Sequence, residues 1–167
     1  MTLVVRDATE ADLPRISAIY DHAILHTVAT ADYVPWPNEK RQAWFREHAA
    51  GHLTPVVVAD LDDRRVAGFA ALSFYSQKPG FRFTRENTVY VDPACHRRGV
   101  GRALMGELIR RAREGGLHAI LASIEAGNEA SIALHASLGF VLIGREREVV
   151  FKFERWLDSV WMQLLLE

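Results

Sequence analysis

The stretch Glu86 to Arg113, ENTVYVDPACHRRGVGRALMGELIRRAR, holds the residues best able to do chemistry. At its centre Arg97-Arg98-Gly99-Val100-Gly101-Arg102 forms a basic turn broken by two glycines. Thr88-Val89-Tyr90-Val91 before it reads as a buried strand, ended by Asp92-Pro93. After it, Leu104, Leu108 and Ala112 recur at helical spacing, with Arg110, Arg111 and Arg113 near the helix end, where cations suit the dipole. Strand, glycine turn and helix together aim free main-chain N–H groups at an anion. The two glycines let that anion approach closely. The chemistry predicted is the holding of a pyrophosphate. A helix that simply starts at convenient glycines fits the same residues. A P-loop is excluded, because no Gly-x-x-x-x-Gly-Lys-Ser/Thr string exists. A dinucleotide fingerprint lacks its third small residue, which is Leu104, although Glu125 follows at a suitable distance.

A second cluster stands in register with the first. Asn128 to Phe140, NEASIALHASLGF, carries Asn at a helix start, His135 one turn before the end, and Gly-Phe after it. Read alone, these are a cap and a surface histidine.

The elements that must position these residues can be read in order. Leu3 to Arg6 is a first strand. Thr9-Glu10-Ala11-Asp12 resembles a capping box with Asp in the Glu/Gln place. Leu13, Ile16, Ile19, Tyr20 and Ala23 make one apolar helical face. His26 to Pro37 is a loop, and Pro37 opens a second helix through Trp44, Phe45 and His48. Val56–Ala59 and Val66–Phe74 pair as a hairpin through an Asp62-Asp63 turn. Tyr75 to Arg85 is a polar, aromatic loop. Gly115-Gly116 ends the central helix. Ala119–Ile124 is a strand, Asn128–Leu138 a short helix, and Phe140 to Gly144 begins a strand. Leu157–Leu166 is the last strand. This order predicts an α/β (α+β) fold, a mixed sheet with helices on both faces, in one domain over 1–167.

Composition narrows the function. With 167 residues and 49% hydrophobic, the chain can bury a full core. A formal net charge of −1 excludes a general nucleic-acid binder. One cysteine, Cys95, allows no intrachain disulfide. No apolar run is long enough to span a bilayer, so the reading is a cytoplasmic chain with no membrane partner. His22, His26, His48, His52 and His118 show no metal-ligand spacing, so no metal is expected.

Together the two clusters resemble the acetyl-CoA-binding signature of the GNAT N-acetyltransferases. That family's turn is Gln/Arg-x-x-Gly-x-Gly/Ala, and His96-Arg97-Arg98-Gly99-Val100-Gly101 fits it with His96 in the leading place. Within the family the chain is similar to the phosphinothricin and methionine sulfone/sulfoximine acetyltransferases. Arg41-Gln42-Ala43-Trp44-Phe45, the Gly80 to Val91 segment, Asn128 to Phe140, and Phe151 to Leu164 carry that likeness. Tyr75-Ser76 stands where the sulfone enzymes have Trp-Arg.

The resemblance implies the GNAT fold, with a mostly antiparallel sheet, and acetyl-CoA as co-substrate. It implies direct transfer in a ternary complex to the primary amine of a small amino-acid-like substrate. Glu86 would take the proton of the amine, because a free amine is mostly protonated at neutral pH. His135 would assist proton transfer near the thiol. Val89, Tyr90 and Val91 would run beside the pantetheine arm. The amides of Arg97, Arg98, Gly99, Val100, Gly101 and Arg102 would cradle the pyrophosphate, with Asn128 a second contact. A substrate carboxylate would meet Arg82 first and Lys78 second, with Phe81, Tyr33 and Tyr75 lining the pocket. The subgroup implies a homodimer, with the aromatic tail Phe151 to Trp161 at its interface. Two further readings stay open: a non-catalytic acyl-CoA sensor and a dinucleotide-binding oxidoreductase.

Overall fold

The structure, a computed structural model, describes residues 2–62 and 65–166. Asp63 of the expected turn lies outside them.

Seven strands form one sheet in the order β1-β2-β3-β4-β5-β7-β6. They are β1 (Leu3–Asp7), β2 (Val56–Leu61), β3 (Arg65–Phe74), β4 (Thr84–Val91), β5 (Ala119–Glu125), β6 (Val141–Lys152) and β7 (Arg155–Leu165). Every neighbouring pair is antiparallel except β4 and β5. The helices are α1 (Leu13–His26), α2 (Asn38–Ala50), α3 (Val100–Glu114) and α4 (Glu129–Ser137).

Strand period divides the core into two layers. Val58, Phe69 and Ala71 pack with Leu13, Ile16 and Ile19 of α1, while Trp44 and Phe45 of α2 close the same side. Val57, Ala59, Leu72 and Ile120 face the opposite way, against Leu104, Met105 and Leu108 of α3. Those three α3 side chains are fully buried, each worth about 1.5–3 kcal/mol relative to exposure. Leu104 is therefore a core residue, which accounts for the missing third small residue of a dinucleotide turn.

Two elements differ from the sequence expectation, and one that agrees has its reason in the structure. The central strand begins at Thr84, not Thr88, because Arg85 is paid for in hydrogen bonds. Its guanidinium, 1% exposed, donates to the carbonyls of Leu53, His52, Arg82 and Thr84 at 2.6–3.2 Å. Strand β6 continues through Arg145-Glu146-Arg147 to Lys152, and β7 begins at Arg155, so the two form a long hairpin. The charged residues beyond Gly144 belong to an exposed edge strand. A register shift between Glu146 and Val150 interrupts its ladder. Finally, Asp12 replaces Glu in the capping box because it serves two partners. It accepts from the Thr9 amide at 2.8 Å and from both Arg6 Nη atoms at 2.8 Å, and the Arg6 bond lowers its pKa to about 2.

Candidate active site

The parallel pair β4–β5 opens into a fork. Its register holds only from Thr84↔Ala119 to Glu86↔Leu121, although β4 runs on to Val91 and β5 to Glu125. On the other side of β4 the Asp92 amide bonds to the Ala67 carbonyl. Antiparallel alternation then turns the main-chain groups of Val89 and Val91 away from β3, into the fork. A cleft of about 840 Å³ follows, bounded by Glu86–Val91, Ala122–Glu125, the Thr27–Ala31 loop and the start of α3.

The glycine turn closes one end of this cleft. Arg97 and Gly99 have φ of 59° and 80°, and two left-handed residues this close make a concave turn of amides. A Cβ on Gly99 would meet nothing, so glycine is there for its dihedral. Gly101 has a different reason: its Cβ would sit 3.1 Å from Leu134 Cδ2. It permits close packing of α3 on α4, a reason its sequence context did not show. Among the described residues, none of the amides from Arg97 to Arg102 donates to protein; the first bonded one is Ala103, to the Gly99 carbonyl at 3.0 Å. Gly99 gives the helix no side-chain cap. Open amides at a helix N-terminus suit a diphosphate.

The side chains of the turn do other work. Arg98 reaches Asp62 at 3.2 Å and does not border the cleft. Arg102 Nη1 lies 2.9 Å from Ser137 Oγ. His96 Nε2 lies 3.1 Å from the Val91 carbonyl, tying the turn to β4.

Glu86 stands at the base of the fork. Among the described residues its carboxylate has no ion pair or hydrogen bond, and burial raises its pKa. On the other face of β4, Asn87 Nδ2 lies 3.0 Å from His135 Nε2. His135 Nδ1 lies 2.8 Å from the Ser131 carbonyl. A carbonyl only accepts, so Nδ1 carries the proton and Nε2 accepts from Asn87. Burial lowers the His135 pKa, against the Ser131 bond. Asn87 was not singled out by its sequence context. Its Oδ1 is buried with no partner, a condition that costs about 1–3 kcal/mol and that fits an amide N–H of a pantetheine arm. Asn128 Oδ1 caps α4 through the Ser131 amide at 3.1 Å, and Asn128 also borders the cleft.

Thus Glu86, His135, Val89, Tyr90, Val91, Arg97, Gly99, Val100, Gly101, Arg102 and Asn128 come together around one cleft. The expected substrate residues do not border it. Tyr75 packs edge-on to Phe81 at 5.2 Å and to Trp161 at 6.2 Å. Arg82 lies over the Phe83 ring at 4.5 Å, and Lys78 precedes the short Pro79–Phe81 turn. Tyr33 donates its hydroxyl to the Phe151 carbonyl at the hairpin tip. Among the described residues no cluster of His, Cys, Asp or Glu could hold a metal.

A forked sheet, with a diphosphate cradle at one end and a half-buried carboxylate at the other, defines an acyl-CoA-dependent transferase. The sequence profile of the acetyltransferase (GNAT) family matches residues 21–140, and the chain belongs to that family. It is 43% identical over 167 residues to the L-methionine sulfoximine/L-methionine sulfone acetyltransferase of Pseudomonas paraeruginosa, covering 100% of this chain and 96% of that protein. It is 38% identical over 160 residues to a phosphinothricin N-acetyltransferase of Alcaligenes faecalis, covering 95% of this chain and 80% of that one. A GNAT superfamily phosphinothricin acetyltransferase from Sinorhizobium meliloti, solved in complex with AcCoA, superimposes with a TM-score of 0.95 at 36% identity, covering 99% and 89% of the two chains. The chain is an acetyl-CoA-dependent N-acetyltransferase, and the dinucleotide oxidoreductase reading is set aside.

Proposed function

We propose that the enzyme acetylates the primary amine of a small amino-acid-like substrate of the phosphinothricin, methionine sulfone or methionine sulfoximine type, by direct transfer in a ternary complex. The observation that carries the acyl-CoA half is the row of unbonded amides from Arg97 to Arg102 leading into a fork that ends at Glu86. The substrate class is supported by the names of the relatives.

Acetyl-CoA supplies the activated acetyl group. The turn amides hold its diphosphate, with Asn128 beside them. The Val89 and Val91 main chain lines its arm, and a Val91 amide polarises the carbonyl. Glu86 takes the proton of the ammonium. Its pKa, raised by burial, makes it a stronger base than an exposed glutamate. For His135 we propose a positioning part: with Nε2 accepting from Asn87, it has no proton aimed at a leaving thiolate. Arg82 or Lys78 meets the substrate carboxylate. Tyr75 and Phe81 form the far wall, supported by the packing of Tyr75 on Trp161, whose strand partner Ser123 borders the cleft. Tyr33 reaches that wall through the hairpin tip.

We further infer a homodimer through β6 and the hairpin tip, in a cytoplasmic setting, with 1–167 acting as one domain. Val141 and Leu142 at one end of the β6–β7 hairpin and Trp156 at the other are 60%, 62% and 60% exposed, apolar surface that a second copy would cover. No described helix is long and apolar enough to cross a membrane.

A thiol-release assay against a panel of amino-acid analogues tests the reading. Acetyl-CoA turnover is expected with methionine sulfone, methionine sulfoximine or phosphinothricin. Turnover with none of them, but with another amine, keeps the enzyme class and rejects the substrate class. Cofactor binding with full function in Glu86→Gln would favour a sensor.

A further inference from the structure

The tip of the β6–β7 hairpin is built inside out. Phe151 and Phe153 are 45% and 51% exposed, while Lys152 between them is 2% exposed. A buried ammonium is unfavourable unless protein acceptors replace its water. The turn that presents it is strained as well. Lys152 pairs with Arg155, so Phe153 and Glu154 make a two-residue loop, with φ of 50° and 58°. Glycine, asparagine and aspartate are the usual residues at such places. Both features occur where the tip meets the loop between α1 and α2.

The Lys152 ammonium donates to the Thr30 carbonyl at 2.7 Å. Tyr33 closes the same contact from the loop side by donating to the Phe151 carbonyl. Tyr20 Oη lies 2.9 Å from Thr30 Oγ1, so the hydroxyl and the carbonyl of Thr30 are held separately. A trans peptide is planar, and its C=O and N–H point in opposite directions. The Thr30 carbonyl faces Lys152, so the Ala31 N–H faces away from the tip. Thr30 and Ala31 border the cleft of Glu86, and no residue of the hairpin does. The Ala31 N–H therefore faces the cleft. Its neighbours are used within the loop: the Ala29 amide donates to Thr27 Oγ1 at 3.1 Å and the Asp32 amide to Thr30 Oγ1 at 3.2 Å. Among the described residues the Ala31 amide donates to no protein group.

An open N–H in a cleft is a donor for a substrate oxygen. Methionine sulfone, methionine sulfoximine and phosphinothricin share one such group, an oxygen on a tetrahedral sulfur or phosphorus at the far end of the side chain. We propose that the Ala31 amide donates to that oxygen, and that Lys152 is the positioning residue that turns the amide toward it. This rests on the substrate class proposed above and adds the group that reads the side chain. The three polar parts of the acceptor then have separate partners: Glu86 for the amine, Arg82 or Lys78 for the carboxylate, and Ala31 for the side-chain oxygen. A site built to hydrogen-bond an oxygen disfavours an analogue without one, because its donor is left unpaired.

The test compares methionine sulfone with norleucine, whose side chain has the same length and no oxygen, in the wild type, Lys152→Met and Ala31→Pro. The wild type is expected to prefer the sulfone. In Lys152→Met the ratio of kcat/KM for the two amines falls about threefold to tenfold, the range of one hydrogen bond, through a rise in KM for the sulfone. The melting temperature holds, because an apolar chain of like length can replace a buried cation without loss. Ala31→Pro removes the N–H itself at an exposed position, and the same fall in the ratio is expected. An equal loss for both amines in Lys152→Met, which a purely structural lysine would give, overturns its positioning part. If Lys152→Met does not fold, Ala31→Pro decides: an unchanged ratio overturns the contact. A wild type that acetylates other amines but no acceptor with a side-chain oxygen rejects the substrate class, and this contact with it.

Discussion

Asn87 donates its amide to His135 Nε2 across 3.0 Å, and His135 donates its Nδ1–H to the Ser131 carbonyl at 2.8 Å. The chain of bonds joins the base of the fork to α4 and fixes the histidine as a neutral tautomer. Removing Asn87 leaves Nε2 buried and unpaired. Asn87→Leu is expected to lower the melting temperature and to weaken CoA binding several-fold. Calorimetric titration with CoA checks the second effect, and undiminished affinity would detach Asn87 from the cofactor.

Stability should depend on pH through the buried histidines. His135 and His48 have folded pKa values below the ordinary 6.5, chiefly because burial disfavours the cation. The unfolded chain therefore binds their protons first as pH falls. Their contribution is complete above about pH 6.5 and is lost progressively below it, until the folded values are reached. Denaturant titrations between about pH 7 and pH 5 are expected to show this decline. The slope should be shallower in His135→Gln, and an unaltered slope counts against a neutral buried ring.

Glu86 has the opposite cost. Its folded pKa is raised by burial, so its ionised form destabilises the fold above that value. Glu86→Gln should hold or raise the melting temperature at neutral pH while reducing kcat/KM by about 10²–10⁴-fold. In the wild type the acid limb of kcat/KM should lie above the ordinary carboxylate value of 4.5. A variant that loses activity together with its fold would point to a structural residue.

The glycines of the turn should separate by mechanism. Gly99→Ala meets no neighbour but keeps φ at 80°, which costs an L-residue about 1–2 kcal/mol. Its CoA affinity should fall as the turn relaxes. Gly101→Val drives a branched side chain at Leu134, so its loss should show first in the α3–α4 contact. Melting curves with and without CoA distinguish the two.

Arg85 is a structural prediction. Its guanidinium holds four main-chain carbonyls, two of them from the loop between α2 and β2. Arg85→Met keeps the length and removes every donor. It is expected to cost about 2–4 kcal/mol, measured by denaturant unfolding, and a loss within experimental error would show that water replaces the guanidinium freely.

The sequence alone carried what is local. A turn broken by two glycines before a helical run, β-branched residues in the central strand and Asn at a helix start are near-neighbour facts. Their physics, dihedral freedom and open amides, acts within a few residues. The resemblance added Glu86 and His135 by position, and both border the cleft. Tertiary structure decided what depends on distant partners. That β4 and β5 part after Glu86 is a matter of sheet register, which no spacing encodes. Gly101 is small because Leu134 lies against it. His135 is neutral because Ser131 and Asn87 occupy its two nitrogens. Arg85 is buried because carbonyls from residues far away in the chain converge on it, and His48 meets Ser73 only because α2 lies across β3. Hydrogen-bond partners and burial fix which atom holds a proton, and only the folded chain assembles them.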